Sequence, residues 1–261
     1  MKLTRRAALD GNQLDAVDAA VVIQGVDAGT PKETVQSAGL YGGFGSRETM
    51  QHYDSLDATV TYAILKPKKD IAARRTVFDK VNAWAVKKGW LTMSQMDGKR
   101  LRVDKVIIPA MGDPMEWTAE YTITFRAYKV PFWQDATATN VTDTLAAETQ
   151  KSVAVTAPGS APTVIDVEFT NTSGGTCTAF EVEIGGKKME LTGLALANNA
   201  KLTISHGTDG ILSITAGSAS AYGNQEPGGL SDLVVQPGSN TVKVTADAAG
   251  SLKISLYGRY L

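Results

Sequence analysis

The chain has a single cysteine in 261 residues, Cys177. One thiol cannot close an internal disulfide, so no covalent framework holds the fold. Cys177 reads as a small, half-buried strand residue, since neither histidine is near it in sequence to activate it. Histidine is almost as scarce, with only His52 and His206. A charge excess is lacking too: 26 Lys and Arg stand against 27 Asp and Glu, for a net charge of −1. Nucleic-acid binding usually shows a strong basic surplus, and none is present. No stretch reaches the roughly 18 to 20 apolar residues of a membrane helix. The opening Met1-Lys2-Leu3-Thr4-Arg5-Arg6 is basic but lacks the apolar run of a secretion signal. The expectation is a protein made in a cytoplasm that stays soluble or is assembled there into something larger.

What is present divides the chain in two. The first half holds most of the arginine and all four tryptophans, while the second is rich in Gly, Ala, Ser, Thr and Val. Ala20-Val21-Val22-Ile23-Gln24-Gly25-Val26 reads as a short strand. Thr30-Pro31 opens an irregular stretch leading into Ser37-Ala38-Gly39-Leu40-Tyr41-Gly42-Gly43-Phe44-Gly45-Ser46. Four glycines make that segment pliable, and its aromatics are anchors. They serve either a hairpin tip tucked onto its own domain or a dock on a neighbour.

Val60, Tyr62 and Ile64 alternate with polar residues and predict a strand over 57–65. After Pro67, Asp70 is a candidate N-cap for a helix from about Ile71 to Lys88. Ile71, Val77, Phe78, Val81, Trp84 and Ala85 fall on one stripe of it. Lys87 and Lys88 suit its negative end, and Gly89 suits the left-handed position after it. Arg74 lies inside the apolar stripe and is expected to snorkel outward along its stem, or else to reach a partner. Leu101–Ile108 reads as one return strand. Met115, Trp117, Ala119, Tyr121, Ile123 and Phe125 alternate with polar residues in the clearest strand of the chain.

Val130-Pro131-Phe132-Trp133 breaks the pattern, and 136–150 is polar and Ala/Thr-rich, which suggests a boundary. Beyond it, strand-like runs recur: 163–169, 180–184, 188–191, 201–204, 211–214, 241–244 and 252–256. Their spacing of roughly 8 to 12 residues predicts an antiparallel β-sandwich.

A search for chemistry returns little. A nucleophile needs a base, and His52 and His206 both read as structural. No motif of spaced His or Cys marks a metal, so no metal, cofactor or catalytic residue is assigned. Gly39-x-x-Gly42-Gly43-x-Gly45 lacks the Lys and Ser/Thr of a phosphate loop. Glu116 and Glu120 share a strand face, but an alternation of Glu and Thr is ordinary on an exposed strand. Asp232 and Glu226 could hold calcium, yet the regular spacing of a calcium loop is missing. A sugar-binding sandwich would want an exposed Trp, and the second half offers only Tyr222, Tyr257 and Tyr260 as large stacking rings besides its phenylalanines.

The order of these parts resembles the distal tail proteins of siphophages. The N-terminal series is Gly42-Gly43-Phe44-Gly45, the strand to Leu65, the helix with Arg74-Arg75 and Trp84, the strands to Ile108 and Tyr128, and Pro131-Phe132-Trp133. In the second half Asn171-Thr172-Ser173-Gly174, Gln236-Pro237-Gly238-Ser239-Asn240 and Tyr257-Gly258-Arg259-Tyr260 are similar to that family's turns and closing strand. The resemblance covers essentially the whole chain. It implies a mainly β protein with one helix. Residues 1–135 would form a ring-building split β-barrel with one packed helix, and 136–261 a galectin-like antiparallel β-sandwich.

It further implies a structural, non-enzymatic virion protein of the tail tip, assembled in the host cytoplasm. Six copies would form a ring between the tail tube protein and the hub or tip fibre, with receptor-binding or baseplate proteins attached. DNA would pass through the lumen without specific binding. A ring needs heterologous interfaces that close, and open sheet edges can supply them. The segment of Tyr41, Phe44 and Arg47 is the candidate subunit interface. The sandwich has no long insertion of the kind that some members of the family carry as a receptor-binding arm or module, which argues against direct host-sugar recognition by this chain. Competing readings are a carbohydrate-binding module, which leaves the first 135 residues unexplained, and a tail-tube or tail-terminator subunit.

Overall fold

A computed structural model describes residues 5–39, 46–66, 70–110 and 120–261. The chain is mainly β with one α-helix. It divides into two units, Met1–Gln134 with Leu261, and Asp135–Tyr260.

In the first unit one sheet runs Val21–Asp27, Ser46–Ile64, Glu120–Ala127 and Lys105–Ile107 in spatial order, with Lys32–Gly39 also paired to Ser46–Ile64. A second places Asn12–Gln13, Ala7–Leu9, Gly89–Met93 and Lys99–Val103 side by side. The printed pairings of both are antiparallel. Period-two alternation puts Val60, Tyr62 and Ile64 on one face beside Tyr121, Ile123 and Phe125, and all six are buried. The helix Ile71–Ala85 lays Val77, Phe78, Val81, Trp84 and Ala85 into buried positions. Phe78 meets Tyr121 at 5.1 Å between ring centroids, and Trp84 meets Phe125 edge-on at 6.0 Å. Each such buried side chain contributes about 1.5–3 kcal/mol.

Several expectations for this unit are corrected. Asp70 does cap the helix, its Oδ1 accepting the Ala73 N–H at 3.0 Å, but Ile71 is 46% exposed rather than in the stripe. The helix stops at Ala85, and Gly89 does take a positive φ, 109°, but Lys88 before it does so as well, at 58°. The cause is Asp10: it accepts the Trp90 N–H at 2.9 Å and its own N–H donates to Trp90 O, so the chain is already a strand at Gly89. Arg74 does not snorkel. It is fully buried. The expected strand 101–108 is two strands in different sheets, broken at Asp104, whose Oδ2 accepts the N–H groups of Tyr128 and Lys129. The irregular stretch after Pro31 is the strand Lys32–Gly39. Of the long strand expected from Met115, Glu120–Ala127 is seen and 115–119 lies outside the described residues.

The second unit is a two-sheet antiparallel sandwich. One sheet runs Thr139–Leu145, Gly250–Leu256, Thr163–Asn171, Lys201–His206, Leu212–Ala216 and Ala219–Ser220, with Val234–Val235 also on Thr163–Asn171. The other runs Lys151–Ala157, Gly238–Ala246, Phe180–Ile184 and Lys187–Leu191. Inward residues of both, among them Val155, Val244, Phe180, Val167, Phe169 and Ile254, share one core. Phe169 and Phe180 meet across it at 5.3 Å. The hairpin joining Phe180–Ile184 to Lys187–Leu191 turns on Gly185 and Gly186, both at positive φ, as a two-residue loop demands. The polar stretch expected as a boundary lies at the start of this unit, which begins at Asp135, and it also supplies Thr139–Leu145, an edge strand whose residues are mostly exposed or half-buried.

Candidate interface: the hairpin arm

The strand Ser46–Ile64 has 19 residues, far beyond the usual 5 or 6. Its two halves differ. From Leu56 to Ala63 it pairs with Glu120–Ala127, and from Thr59 to Ile64 with Val21–Asp27. From Ser46 to Ser55 its only partner among the described residues is Lys32–Gly39. Ten residues at roughly 3.3 Å each give a two-stranded ribbon about 30 Å long. Both outer edges of that ribbon are open among the described residues. Open edges are templates for another strand, and an isolated two-stranded hairpin is marginal by itself. Register shifts at Lys32/Glu33 and Gln36/Ser37 twist the ribbon locally.

The ribbon has a firm foot. Leu56 is fully buried, and Tyr53 packs edge-on against Phe132 at 5.1 Å. Thr34 Oγ1 donates to Asp54 Oδ2 across the two strands at 2.5 Å. Asp57 accepts two hydrogen bonds of 2.6 Å from Arg126 on the adjacent strand, and these hold its carboxyl below the usual range. Trp133, also fully buried, donates from Nε1 to Ala28 O at 2.9 Å. Gly29 must be glycine. Its φ is +62°, and a Cβ there would stand 2.0 Å from Asp57 O. The chain leaves the strand Val21–Asp27 through this turn and enters the ribbon.

Of the residues expected to contact a neighbour, Arg47 takes its place in the ribbon opposite Ala38. Tyr41 and Phe44 lie outside the described residues. The sequence reading missed the ribbon and its foot. The available signal was the β-branched pair Thr34-Val35 on one side of a glycine-rich segment and Thr49 on the other, a partial hairpin pattern.

Other residues considered for chemistry are structural where described. Cys177 is fully buried rather than half-buried. Its thiol is pushed up to about 12, chiefly by burial, so it is inert. His206 sits between two carboxylates, Nδ1 3.0 Å from Asp166 Oδ1 and Nε2 2.5 Å from Asp232 Oδ1. Burial opposes its charge, but the bonds from Asp166 and then Asp232 outweigh that and raise its pKa to about 9. Asp232 is thereby committed to His206, and Glu226 to the Thr192 hydroxyl. No cluster of ligands suited to a metal occurs among the described residues. His52 pairs in the ribbon with Thr34, and Glu116 is outside the described residues. No described helix is long and apolar enough to cross a membrane.

No family model and no curated protein matches this chain. Among solved structures, the Dit (gp 19.1) protein of SPP1, described as a paradigm of the hub adsorption apparatus in phages that infect Gram-positive bacteria, superposes with a TM-score of 0.68. The two share 14% identity, and the match covers 98% of this chain and 99% of that one. A chain of the phage P2 baseplate in its activated conformation with Ca gives a TM-score of 0.48 at 8% identity, over 97% of this chain and 98% of that one. From one end to the other, this chain has the fold of a phage Dit protein, the family that the order of its motifs resembles.

Proposed function

We propose that the chain is a structural subunit of a phage tail tip. Six copies close into a ring that joins the tail tube to the tip and its host-recognition proteins, around a lumen through which DNA leaves. Residues 1–135 build the ring, and the sandwich of 136–261 faces outward toward attached proteins. The role is mechanical, and the ring is assembled in the host cytoplasm as part of the virion. The observation that carries this reading is the end-to-end likeness of fold to the SPP1 Dit protein.

The ribbon supports it physically. A head-to-tail ring needs one surface that reaches and another that receives. A ribbon about 30 Å long with open edges can add its strands to a neighbour's sheet, satisfying amides and carbonyls that are otherwise left to water. In this reading Tyr41 and Phe44 anchor the tip on the next subunit and Arg47 fixes its register. The test is the mass of the purified chain by light scattering, followed by negative-stain imaging. A closed six-fold ring with a central hole is expected, and the double change Tyr41→Ala, Phe44→Ala is expected to reduce it to smaller species. Open tubes would point instead to a tail-tube subunit. A strict monomer with measurable glycan affinity would replace the ring by a carbohydrate-binding module.

A further inference from the structure

The core under the helix contains an arrangement that its own described residues do not complete. Arg74 is fully buried, and Nε, Nη1 and Nη2 all lack a hydrogen-bond partner among the described residues. The hydroxyls of Tyr62 and Tyr121 are also buried and unpartnered there. The two tyrosines touch each other, and Arg74 is linked to them through its helix face. Tyr62 and Tyr121 stand directly opposite each other in the sheet, with ring centroids 5.4 Å apart. Tyr121 also touches Phe78, which lies one helical turn from Arg74 on the same face. The helix runs from Phe78 over Tyr121 to Trp84 over Phe125. Arg74 therefore lies toward the end of the sheet where Tyr121 and Tyr62 stand, and its side chain leans toward the helix N-terminus.

The chemistry of the group is one-sided. A guanidinium carries five N–H donors and no acceptor. The Tyr62 hydroxyl is held protonated, because burial and then Tyr121 push its pKa well above the usual value. Asp70, the nearest carboxylate in sequence, is occupied by the Ala73 N–H. Asp79 is bound to Arg75 on the exposed face. The unpartnered acceptor Asn82 Oδ1 is eight residues along the helix, about 12 Å away. An uncompensated buried cation costs several kcal/mol, so this cluster of donors calls for a counter-charge from outside the described residues.

The geometry points to an oxyanion site: Arg74, with the hydroxyls of Tyr62 and Tyr121, binds one carboxylate or phosphate group at the N-terminal end of the helix. A planar fork beside two hydroxyl donors matches the oxygens of either group. The group comes from a free anion or from an acidic side chain of a neighbouring subunit.

The test uses the full chain, refolded from urea so that a buried site can fill. Inorganic phosphate is raised against sodium chloride at constant ionic strength, and both Tm and the mass by light scattering are read. A free-anion site gives a saturable rise of roughly 3 °C or more. Arg74→Met abolishes the rise, and Arg74→Lys, which keeps the charge but loses the fork, weakens the phosphate midpoint about ten-fold. A carboxylate from a neighbouring chain gives the other signature. Phosphate then lowers the assembled mass of the wild type, and Arg74→Met runs at lower mass without any phosphate. Should Arg74→Met fail to fold, the double change Tyr62→Phe, Tyr121→Phe keeps the rings and reads the same two quantities. The proposal falls if wild-type Tm and mass are both indifferent to phosphate and the double tyrosine variant matches the wild type in both.

Discussion

Arg74 in the first unit and His206 in the second both have side chains with almost no exposed surface, and they are provided for in opposite ways. His206 in the sandwich has a carboxylate on each ring nitrogen, Asp166 and Asp232. Arg74 beneath the helix has no acceptor among the described residues. The difference lies in topology. Strand pairing brings Val167 opposite Ile204, which sets Asp166 within reach of His206, and the His206 N–H also donates to Asp166. The strand Val234–Val235 pairs with Thr163–Asn171 and carries Asp232 in beside it. A sandwich whose neighbouring strands come from distant parts of the chain can gather opposite charges. The helix face is built from consecutive turns and shares its interface with the apolar side of a sheet, where the unpartnered polar groups among the described residues are the hydroxyls of Tyr62 and Tyr121. A buried charge closed by its own unit costs stability when a partner is removed, while the open one is left for the oxyanion proposed above.

The largest expected effect comes from breaking the closed case. His206→Ala leaves two partly buried carboxylates facing each other without their cation, and removing one member of a buried pair costs about 3 kcal/mol. Urea denaturation at pH 7 should show a lower midpoint with an unchanged slope. A loss under about 1 kcal/mol would mean that the pair behaves as an exposed one.

The second effect is the pH dependence of the same contact. The folded pKa of His206 is raised from 6.5 to about 9. Its stabilisation is thus fully present below about pH 6.5 and is lost as pH rises through about 9, by an amount of order 3 kcal/mol. The difference in stability between wild type and His206→Ala should shrink over that window. A difference that stays flat from pH 6.5 to 10 would show that the imidazole is neutral when folded.

The open case gives a smaller number. In phosphate-free chloride, at concentrations where the chain is monomeric, Arg74→Met removes no described partner and replaces a buried charge by an apolar side chain of similar length. Its stability should lie within about 1 kcal/mol of the wild type or above it. A loss as large as that of His206→Ala would erase the contrast between the two cations.

The two sites were unequally legible in the sequence, and for one reason. Local signals carried the helix, its Asp70 cap and most strands of the sandwich, because period and capping are short-range. His206 read as a satisfied structural residue, and it is one, but Asp166 and Asp232 could not be named: they lie 40 and 26 residues away, and only strand register joins them. Arg74 was visible as a charge in an apolar stripe. Its snorkelling was misjudged because whether a stem can reach water depends on what packs above it. The ribbon was the largest omission. No alternation of apolar residues marks Lys32–Gly39 or the first half of Ser46–Ile64, and it is strand register that joins them. The turn motifs behind the family resemblance do have visible work. Asn171 donates to Gly175 O and Leu196 O, Asn240 to Gln236 O and Gly238 O, and Gly258 sits where a Cβ would strike Asp135 and Pro158. Such residues fix turns through their own side chains or their lack of one, and so remain readable where paired strands are not.

A third cation completes the comparison from the exposed side. Arg126 grips Asp57 with two short bonds at the foot of the ribbon, yet both side chains keep more than a third of their surface, 36% and 39%. Water competes for both partners, and salt screens them. Asp57→Asn should therefore cost less than about 1 kcal/mol, an amount that shrinks further in high salt. Its geometry is nevertheless as good as that of the His206 contacts, so bond length is not what separates the two sites. If Asp57→Asn proved as damaging as His206→Ala, the pair would have to be shielded in solution. A ribbon docked against a neighbouring subunit could do that, and repeating the measurement on the Tyr41→Ala, Phe44→Ala chain would tell, since an undocked ribbon should return the pair to its small exposed value.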